Sequence, residues 1–368
     1  MEIEAANRKV VALLGRKDTP TDGVEDYCVF LGSALSHRGV NLARVRVPWH
    51  EKGWPRALRR VSNDSAIWSG GWVVLQYTAL SWSTRGFPFG ILAVARILKN
   101  HSVKVAVVFH ESAGCRSKGI VGRLRCACQD WTVSRLYNLA DRAIFTVPTE
   151  QLIWLRDSES KARFIAIGAN IPEPAIVQRR AGFLEEKRKT VGVFCITEGA
   201  PGVREVAEIS AAVQRVHQKI RELRLVVLGR GAMGASNALH RAFAGSGVEL
   251  AILDVLPAEE VTRVLSGMDA LLYVRGEATP QRGSAIAAIA CGVPLIAYGD
   301  SERAFPLSKG GILLSPLGDV RSLSTALERV LTDKQLWADL HARSTAAQQE
   351  YFSWDTIAAR YAEIFQDD

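Results

Sequence analysis

The chain of 368 residues is 48% hydrophobic and 23% charged, and its formal net charge is +8. This length exceeds what one ordinary hydrophobic core organises, so we expect two domains, and the composition excludes a disordered chain. No run of about 18 uncharged apolar residues predicts a membrane-spanning helix. An acidic start that leads directly into a strand is not typical of a signal peptide, so we expect a cytoplasmic protein.

The positive charge is concentrated in the first half. Residues 1–175 hold 24 Lys and Arg against 15 Asp and Glu, a net of +9, whereas the remaining residues hold 22 against 23, a net of −1. Such a balance indicates that the first half meets something anionic: a phosphate-bearing acceptor, an anionic membrane surface or nucleic acid. No recognition motif accompanies the charge, so we expect no nucleic-acid partner.

The segment Val47–Val61 mixes aromatic and cationic residues. They are Trp49, Trp54, Arg56, Arg59 and Arg60. Aromatic rings beside cations are found at membrane interfaces and at sites for phosphorylated acceptors, although a partly packed surface helix is the more ordinary interpretation. Peripheral attachment to the inner membrane face is therefore a further expectation for this half of the chain.

The six cysteines show no metal-site spacing. They are Cys28, Cys115, Cys126, Cys128, Cys195 and Cys291. Cys126 and Cys128 form a CxC, but no second pair or nearby histidine completes a tetrahedral set. We expect reduced thiols and no bound metal.

The first half begins as a doubly wound sheet. A strand at Lys9–Leu14 leads through a loop of turn residues into a helix that ends near Gly39, and a further strand follows. Gly23 lies in the loop before the helix and is a candidate phosphate contact, although every unit of this kind needs such a turn.

A second candidate site residue lies near the end of an almost unbroken apolar strand, Val103–Gly114. This strand runs into His110 and Glu111, and polar residues at the carboxyl end of a buried parallel strand face the ligand crevice. His110 is therefore our candidate for contact with a reacting group. The alternative is a structural histidine.

The second half repeats the alternation of strands and helices. We place a linker near 173–189, a new strand at Val191–Ile196, and a final helix that starts near Trp354. Two arginines lie near the predicted crevice of this domain: Arg204 at the first loop–helix junction, and Arg230 directly after a strand. A surface position is the alternative for each.

The clearest pattern is the stretch Ala270–Pro316. A short apolar strand is followed by the loop RGEATPQRGS and by a helix of small residues. The start of a helix offers backbone N–H groups and a partial positive charge to an anion. Ser284 could cap this helix, Gly283 allows close approach, and Arg282 adds a fork of donors. The loop therefore predicts a phosphate site.

These motifs together resemble a known enzyme family. The glycine loop and helix DGVEDYCVFLGSALSHRGV, the run ACGVPLIAYG followed by GGILLSPLGD, and the ending FSWDTIAARYAEIF are similar to glycosyltransferases of the GT-B fold, in particular family 4. The resemblance covers 190–368 well and the first half more loosely. It implies an α/β fold of two Rossmann-like domains. Residues 1–175 would form the acceptor domain, joined by a helix at about 354–368 that crosses back to it, and 190–350 the donor domain.

The resemblance also implies a reaction. Family members move a sugar, with retention and usually without metal, from a nucleoside-diphosphate donor to a glycan, lipid-linked or small-molecule acceptor, often in polysaccharide biosynthesis. Arg204, Arg282 and the N–H groups of Gly283 and Ser284 match the places that bind the diphosphate. His110 matches a histidine near the donor sugar. We expect no cofactor.

One departure from the family is conspicuous. The family usually carries two glutamates eight residues apart, and the corresponding positions here are Thr279 and Ala287. Glu277 could replace the first, and the loop Arg282–Gly283–Ser284 resembles a variant found in part of the family. A catalytically lapsed partner subunit that binds nucleotide sugar is therefore an alternative. An epimerase is another, for which His110–Glu111 is the only candidate acid/base pair.

Overall fold

The computed structural model describes residues 8–19, 21–113, 119–155, 161–174 and 188–366. The chain divides into two compact units. The first contains Met1–Ile167 together with Trp354–Asp368, and the second contains Gly168–Ser353. Each unit has a parallel six-stranded sheet.

The first unit is a doubly wound sheet. Its strands are β1 (Arg8–Leu14), β2 (Val40–Arg46), β3 (Trp72–Tyr77), β4 (Lys104–Phe109), β5 (Arg142–Phe145) and β6 (Ala162–Phe164). Its helices are α1 (Gly23–Ser36), α2 (Trp49–Lys52), α3 (Trp54–Ile67), α4 (Gly90–Asn100), α5 (Ile120–Leu139) and, at the chain's end, α12 (Trp354–Gln366). The strand order is β2-β1-β3-β4-β5-β6. The order reverses between β1 and β3, where such sheets open a ligand crevice.

Both faces of this sheet are covered. Helices α2 to α5 pack on one face, and α1 and α12 pack on the other. Side chains of α12 at near-helical spacing, among them Trp354, Ile357, Tyr361 and Phe365, are buried against α1 and the strands. The Tyr361 and Tyr27 hydroxyls lie 2.7 Å apart in this core. The last helix is thus an integral layer of the first unit.

The second unit repeats this architecture. Its strands are β7 (Lys189–Phe194), β8 (Leu223–Leu228), β9 (Glu249–Ile252), β10 (Ala270–Glu277), β11 (Leu295–Tyr298) and β12 (Ile312–Ser315). Its helices are α6 (Ala200–His217), α7 (Ala232–Phe243), α8 (Ala258–Ser266), α9 (Gly283–Ala290), α10 (Val320–Thr332) and α11 (Lys334–Ala347). The strand order is β12-β11-β10-β7-β8-β9. The reversal falls between β10 and β7, so the crevice of this unit lies at their carboxyl ends.

The alternation of strands and helices predicted from the sequence is confirmed by the two sheets. The predicted linker falls mostly on residues 175–187, which lie outside the described residues, and the second unit already begins at Gly168. Helix α5 was not predicted. Its apolar residues are spread around the helix, since Leu136 is buried and Leu124 is 57% exposed. They form no single apolar stripe from which the sequence would predict a helix.

In the segment Val47–Val61, one tryptophan is buried and the other is partly buried. Gly53, at a φ of +75°, separates α2 from α3. Trp49 is buried, and its ring stacks on that of Trp54 at 5.2 Å with Trp82 beyond. Trp49 therefore belongs to the core and Trp54 packs partly buried against it, in line with the partly packed surface helix; contact of this segment with a membrane or an acceptor stays a prediction.

Within the described residues, no helix is both long enough and apolar enough to cross a bilayer.

The buried tyrosine pair gives a test of how α12 is anchored. Tyr361→Phe leaves the Tyr27 hydroxyl buried without this partner, which should lower the free energy of unfolding by about 1–3 kcal/mol. The double variant Tyr27→Phe/Tyr361→Phe removes both polar groups and should recover most of that loss. Urea unfolding of the full chain measures both. A double variant that loses the sum of the two single losses would contradict this account.

Candidate functional site

The loop that follows β7 is fixed at the switch point of the second sheet. The Ile196 N–H donates to the Arg230 carbonyl at 3.0 Å, and the Thr197 N–H donates to the Glu205 carboxylate at 2.8 Å. Glu205 is only 2% exposed. A buried carboxylate that accepts a backbone N–H ties the loop to the first turns of α6.

Two glycines make this close packing possible. A Cβ at Gly202 would collide with the Thr197 carbonyl oxygen, and one at Gly231 would collide with that of Ile196. Gly231 also has a φ of +80°, which disfavours any side chain. The backbone at 196–197 is therefore held from both sides.

Three arginines gather around this loop. Arg275, near the end of β10, donates from Nε to Thr197 Oγ1 at 3.3 Å. Arg230 follows β8, and Arg282 directly precedes α9. Burial raises the pKa of the Cys195 thiol, and Arg275 and Arg230 oppose that rise. Burial likewise raises the pKa of Tyr273, opposed by Arg282 and Arg275.

The charge of Arg275 thus acts on both groups, that of Arg230 on Cys195 and that of Arg282 on Tyr273, and all three residues lie near the end of a strand or before a helix at the carboxyl edge of the sheet. Three forks of donors at the switch point can bind a multiply charged anion such as a diphosphate.

The start of α9 differs in one respect from the sequence prediction. Ser284 does not cap this helix: Arg282 occupies the N-cap position with φ −90° and ψ 93°, Gly283 is the first helical residue, and Ser284 is buried within the first turn. The helix begins two residues earlier than it would with Ser284 as its cap. A Cβ at Gly283 would meet nothing within 4 Å, so the backbone there is open to a ligand.

Two predicted contacts are already in ion pairs. Arg204 is exposed on α6 with its Nε 3.7 Å from Glu208 Oε1. Glu277 ends β10 with its Oε2 3.6 Å from Arg303 Nη1. Whether either of them contacts a donor stays a prediction.

The first unit places His110 at the carboxyl end of β4. Its Nε2 lies 2.8 Å from Oε1 of buried Gln76, and the Tyr27 ring meets its ring edge-on at 5.1 Å. Desolvation lowers the pKa of His110 to about 4, against an opposing influence of Asp22. The imidazole is therefore neutral near pH 7 and can exchange hydrogen bonds without carrying charge.

Two carboxylates also lie at this edge. Burial raises the pKa of Glu111, while its hydrogen bond from the Ala79 N–H, at 2.7 Å, opposes the rise. At the start of α1, the Asp22 carboxylate accepts from the N–H groups of Val24 and Glu25 and pairs with Arg46 at 3.2 Å. The Asp22 carboxylate thus occupies the start of this helix, beside Gly23. A phosphate contact at Gly23 stays a prediction.

The sequence reasoning missed Arg275, Thr197 and Glu205. Arg275 follows the apolar run ALLYV, a position equivalent to the one that singled out Arg230, so that signal was present in the sequence. Thr197 and Glu205 gain their meaning from contacts that only the fold supplies.

Comparison with known proteins yields a fold. No model of a known protein family matches the chain, and no curated protein matches it. Among solved structures, HepE of Anabaena in complex with UDP and glucose superposes with a TM-score of 0.67 and 13% identity over 98% of this chain and 100% of that one. Sucrose-phosphate synthase of Thermosynechococcus elongatus superposes with a TM-score of 0.67 and 16% identity. A glycosyltransferase of Rickettsia africae superposes with a TM-score of 0.68 and 10% identity. Each of these two comparisons covers 98% of this chain and 98% of the other chain. The chain has the GT-B fold.

The depressed pKa of His110 predicts a specific titration. Between about pH 4 and the ordinary value of 6.5, the unfolded chain binds a proton that the folded chain does not, so the free energy of unfolding should fall as the pH is lowered through this window. Histidine NMR signals recorded against pH, with His110→Gln to assign the resonance, should place its midpoint below pH 5. A midpoint near 6.5 would show that the site does not desolvate the imidazole.

Proposed function

We propose that this chain is a glycosyltransferase that takes a sugar from a nucleoside-diphosphate donor. The observation that carries the proposal is the cluster of Arg230, Arg275 and Arg282 at the switch point of the second sheet. As the glycosidic bond breaks, negative charge develops on the leaving diphosphate. Fixed cations aimed at that charge stabilise the transition state more than the ground state.

The donor is a uridine nucleotide in this proposal. HepE was solved with UDP-glucose, and MnaA of S. aureus with UDP. Both share this fold at 13% identity, and their bound nucleotides support the choice of a uridine nucleotide as the donor. The phosphates would bind the guanidinium groups and the first N–H groups of α9, where Gly283 leaves room.

His110 is the group that we propose contacts the transferred sugar. A neutral imidazole suits this task because it can donate to or accept from a hydroxyl without adding a charge that competes for the phosphates. Gln76, 1% exposed, holds the Nε2 side of the ring in place. The proposed transfer retains the configuration of the sugar and needs no metal, as in family 4. The acceptor in this proposal is a glycan, a lipid-linked molecule or a small molecule.

A second candidate function is that of a catalytically lapsed subunit that binds nucleotide sugar and supports another transferase. The absent carboxylates favour it: Thr279 and Ala287 stand at the two family positions, and Ala287 is buried in α9. Glu277, the nearest substitute, is paired with Arg303. The two functions differ in turnover and not in donor binding.

Donor binding tests the arginine cluster. UDP at about 100 times its dissociation constant should stabilise the protein by about 2.7 kcal/mol, seen as a rise in Tm. Arg275→Ala and Arg282→Ala should each weaken UDP binding about tenfold, a loss of about 1.4 kcal/mol. Arg321→Ala, an exposed arginine on α10, is the matched control and should bind as the parent does. Titration calorimetry gives the constants.

No Tm rise with UDP, ADP, GDP or dTDP, or with their sugars, would overturn the nucleotide-sugar proposal. Unchanged binding by Arg275→Ala and Arg282→Ala would move the site away from the switch point.

Turnover separates the two candidate functions. Release of UDP from radiolabelled UDP-sugars should be detectable in the parent. It should fall about 100-fold in His110→Ala, in line with loss of a positioned proton-transfer or hydrogen-bonding group, while donor affinity stays within about twofold. Donor binding without any turnover, alone or with added acceptors, would favour the lapsed subunit instead.

A further inference from the structure

We propose that Tyr27 of α1 is a positioning residue for His110, and that Tyr361 on the chain's last helix holds Tyr27 in place. These three residues, here called the tyrosine–histidine cluster, connect α12 to the carboxyl end of β4. The contacts among them are independent of any reaction. Their effect on turnover rests on the proposed function, in which His110 contacts the transferred sugar.

The imidazole of His110 is held by two contacts of different kinds. Its Nε2 lies 2.8 Å from Oε1 of the buried Gln76. The Tyr27 ring meets the imidazole with the two ring centroids 5.1 Å apart and the ring planes at 87°. Edge-to-face pairs of aromatic rings have a preferred geometry, so the tyrosine ring restricts how the imidazole tilts about its hydrogen bond. The two contacts together fix the orientation of the ring.

The sequence of α1 places Tyr27 at this edge of the sheet. The Asp22 carboxylate caps the helix by accepting from the N–H groups of Val24 and Glu25, which fixes where the helix begins. The buried residues of the helix follow at helical spacing: Tyr27, Cys28, Leu31 and Leu35. Because α1 follows β1, it begins at the carboxyl edge of the sheet. Tyr27, the first of its buried residues, therefore lies beside the end of β4.

Tyr27 is itself anchored by α12. Its hydroxyl lies 2.7 Å from that of Tyr361, and its ring meets the Trp354 ring at 5.2 Å. Trp354 also stacks on Phe30 at 5.6 Å with the ring planes at 13°, so the first residue of α12 contacts two residues of α1. Because a buried hydroxyl needs a hydrogen-bond partner, Tyr361 keeps the Tyr27 hydroxyl turned toward α12. Tyr27 therefore offers His110 its ring and not its hydroxyl.

The side chains that α1 and α12 pack around this cluster are neutral near pH 7. Burial raises the pKa of Tyr27 and that of Tyr361. It also raises the pKa of the Cys28 thiol to about 12. The tyrosine rings thus surround the imidazole with apolar surface and bring no charge to it.

The charge that acts on His110 comes from the start of α1. Asp22 opposes the effect of desolvation on the pKa of His110, and it is paired with Arg46 of β2 at 3.2 Å. Glu111 follows His110 in the chain, and Gln76 on β3 carries no charge. A substitution of Tyr27 therefore changes the solvation of the imidazole and leaves these charged groups in place.

Histidine NMR of the full chain tests the positioning without any donor or acceptor. In Tyr27→Leu, the lost ring leaves a space lined by the Tyr361 hydroxyl and the imidazole, which is polar enough to admit water. Solvation should raise the midpoint of the His110 titration by about one pH unit or more. The imidazole nitrogen signals should change from those of one tautomer to those of a mixture. The double variant Tyr27→Phe/Tyr361→Phe keeps both rings and should behave as the parent does.

Tyr361→Phe tests the anchor on α12. The Tyr27 hydroxyl then lacks this partner, and a new hydrogen bond for it requires the ring to move relative to His110. The His110 signals should shift in the same direction as in Tyr27→Leu but less, and the double variant should reverse the shift. Because Tyr361→Phe preserves the volume of the core, it decides the proposal even where Tyr27→Leu does not fold.

Leu35→Ala is the matched control. Leu35 is buried in the same core and on the same helix as Tyr27, but it lies eight residues further along, about 12 Å at 1.5 Å per residue. The substitution should destabilise the protein as Tyr27→Leu does, and it should leave the His110 midpoint and tautomer unchanged. A role for Tyr27 in stability alone would make the two variants alike.

Turnover connects the cluster to the proposed function. Tyr27→Leu should lower UDP release about tenfold while UDP affinity stays within about twofold, since the ring touches His110. The double variant should restore turnover. His110 signals that stay unchanged in Tyr27→Leu and in Tyr361→Phe, or that shift equally in Leu35→Ala, would overturn the positioning. Shifted His110 signals together with a parent that shows no turnover would support the positioning and count against the proposed function.

Discussion

The close approach of two glycines to the backbone after β7 is the constraint on which the second unit's site depends. Gly202 and Gly231 leave no room for a Cβ beside the carbonyls of Thr197 and Ile196, so the loop is pressed between the start of α6 and the start of α7. The buried Glu205 carboxylate then fixes the Thr197 N–H. Because the loop is rigid, Thr197 Oγ1 can orient the Arg275 guanidinium. A cation held in advance of the ligand avoids a reorganisation cost when charge develops.

The two sheets carry different electrostatic character at their carboxyl edges. In the first unit, desolvation keeps His110 neutral, and Asp22 fills the start of α1. In the second unit, three arginines surround one loop, and their charges oppose the effect of burial on Cys195 and Tyr273. The first edge therefore suits hydroxyl groups, and the second suits an anion.

The sequence predicted what depends on local pattern. Apolar runs of strand length, each ended by turn residues, predict both sheets, and polar residues at their ends identify His110, Arg230 and Arg282. It could not predict what depends on distant contacts. Arg275 acquires its role from Thr197, which lies 78 residues earlier in the chain. Helix α5 was missed because its apolar side chains face both the core and solvent.

Composition alone does not place the two tryptophans in the segment Val47–Val61. Aromatic rings beside arginines are typical of a membrane interface, but Trp54 packs directly against Gly90, where a Cβ would collide with its ring, and lies between Trp49 and Trp82. A glycine far along the chain thus fixes where the partly buried Trp54 packs.

Under the proposed function, the absence of a carboxylate at Thr279 and Ala287 would change how a donor is recognised, since the family that the sequence resembles usually has glutamates there. Between residues 270 and 299 the only carboxylate is Glu277, and Arg303 lies within ion-pair distance of it. The buried Glu205 carboxylate, bound to the Thr197 N–H, is the nearby acid that offsets part of the positive charge of Arg275 and Arg282. A carboxylate binds ribose hydroxyls through directional hydrogen bonds, whereas guanidinium groups bind phosphate through charge. In the proposed function, such a site would gain its affinity from the diphosphate more than from the ribose hydroxyls.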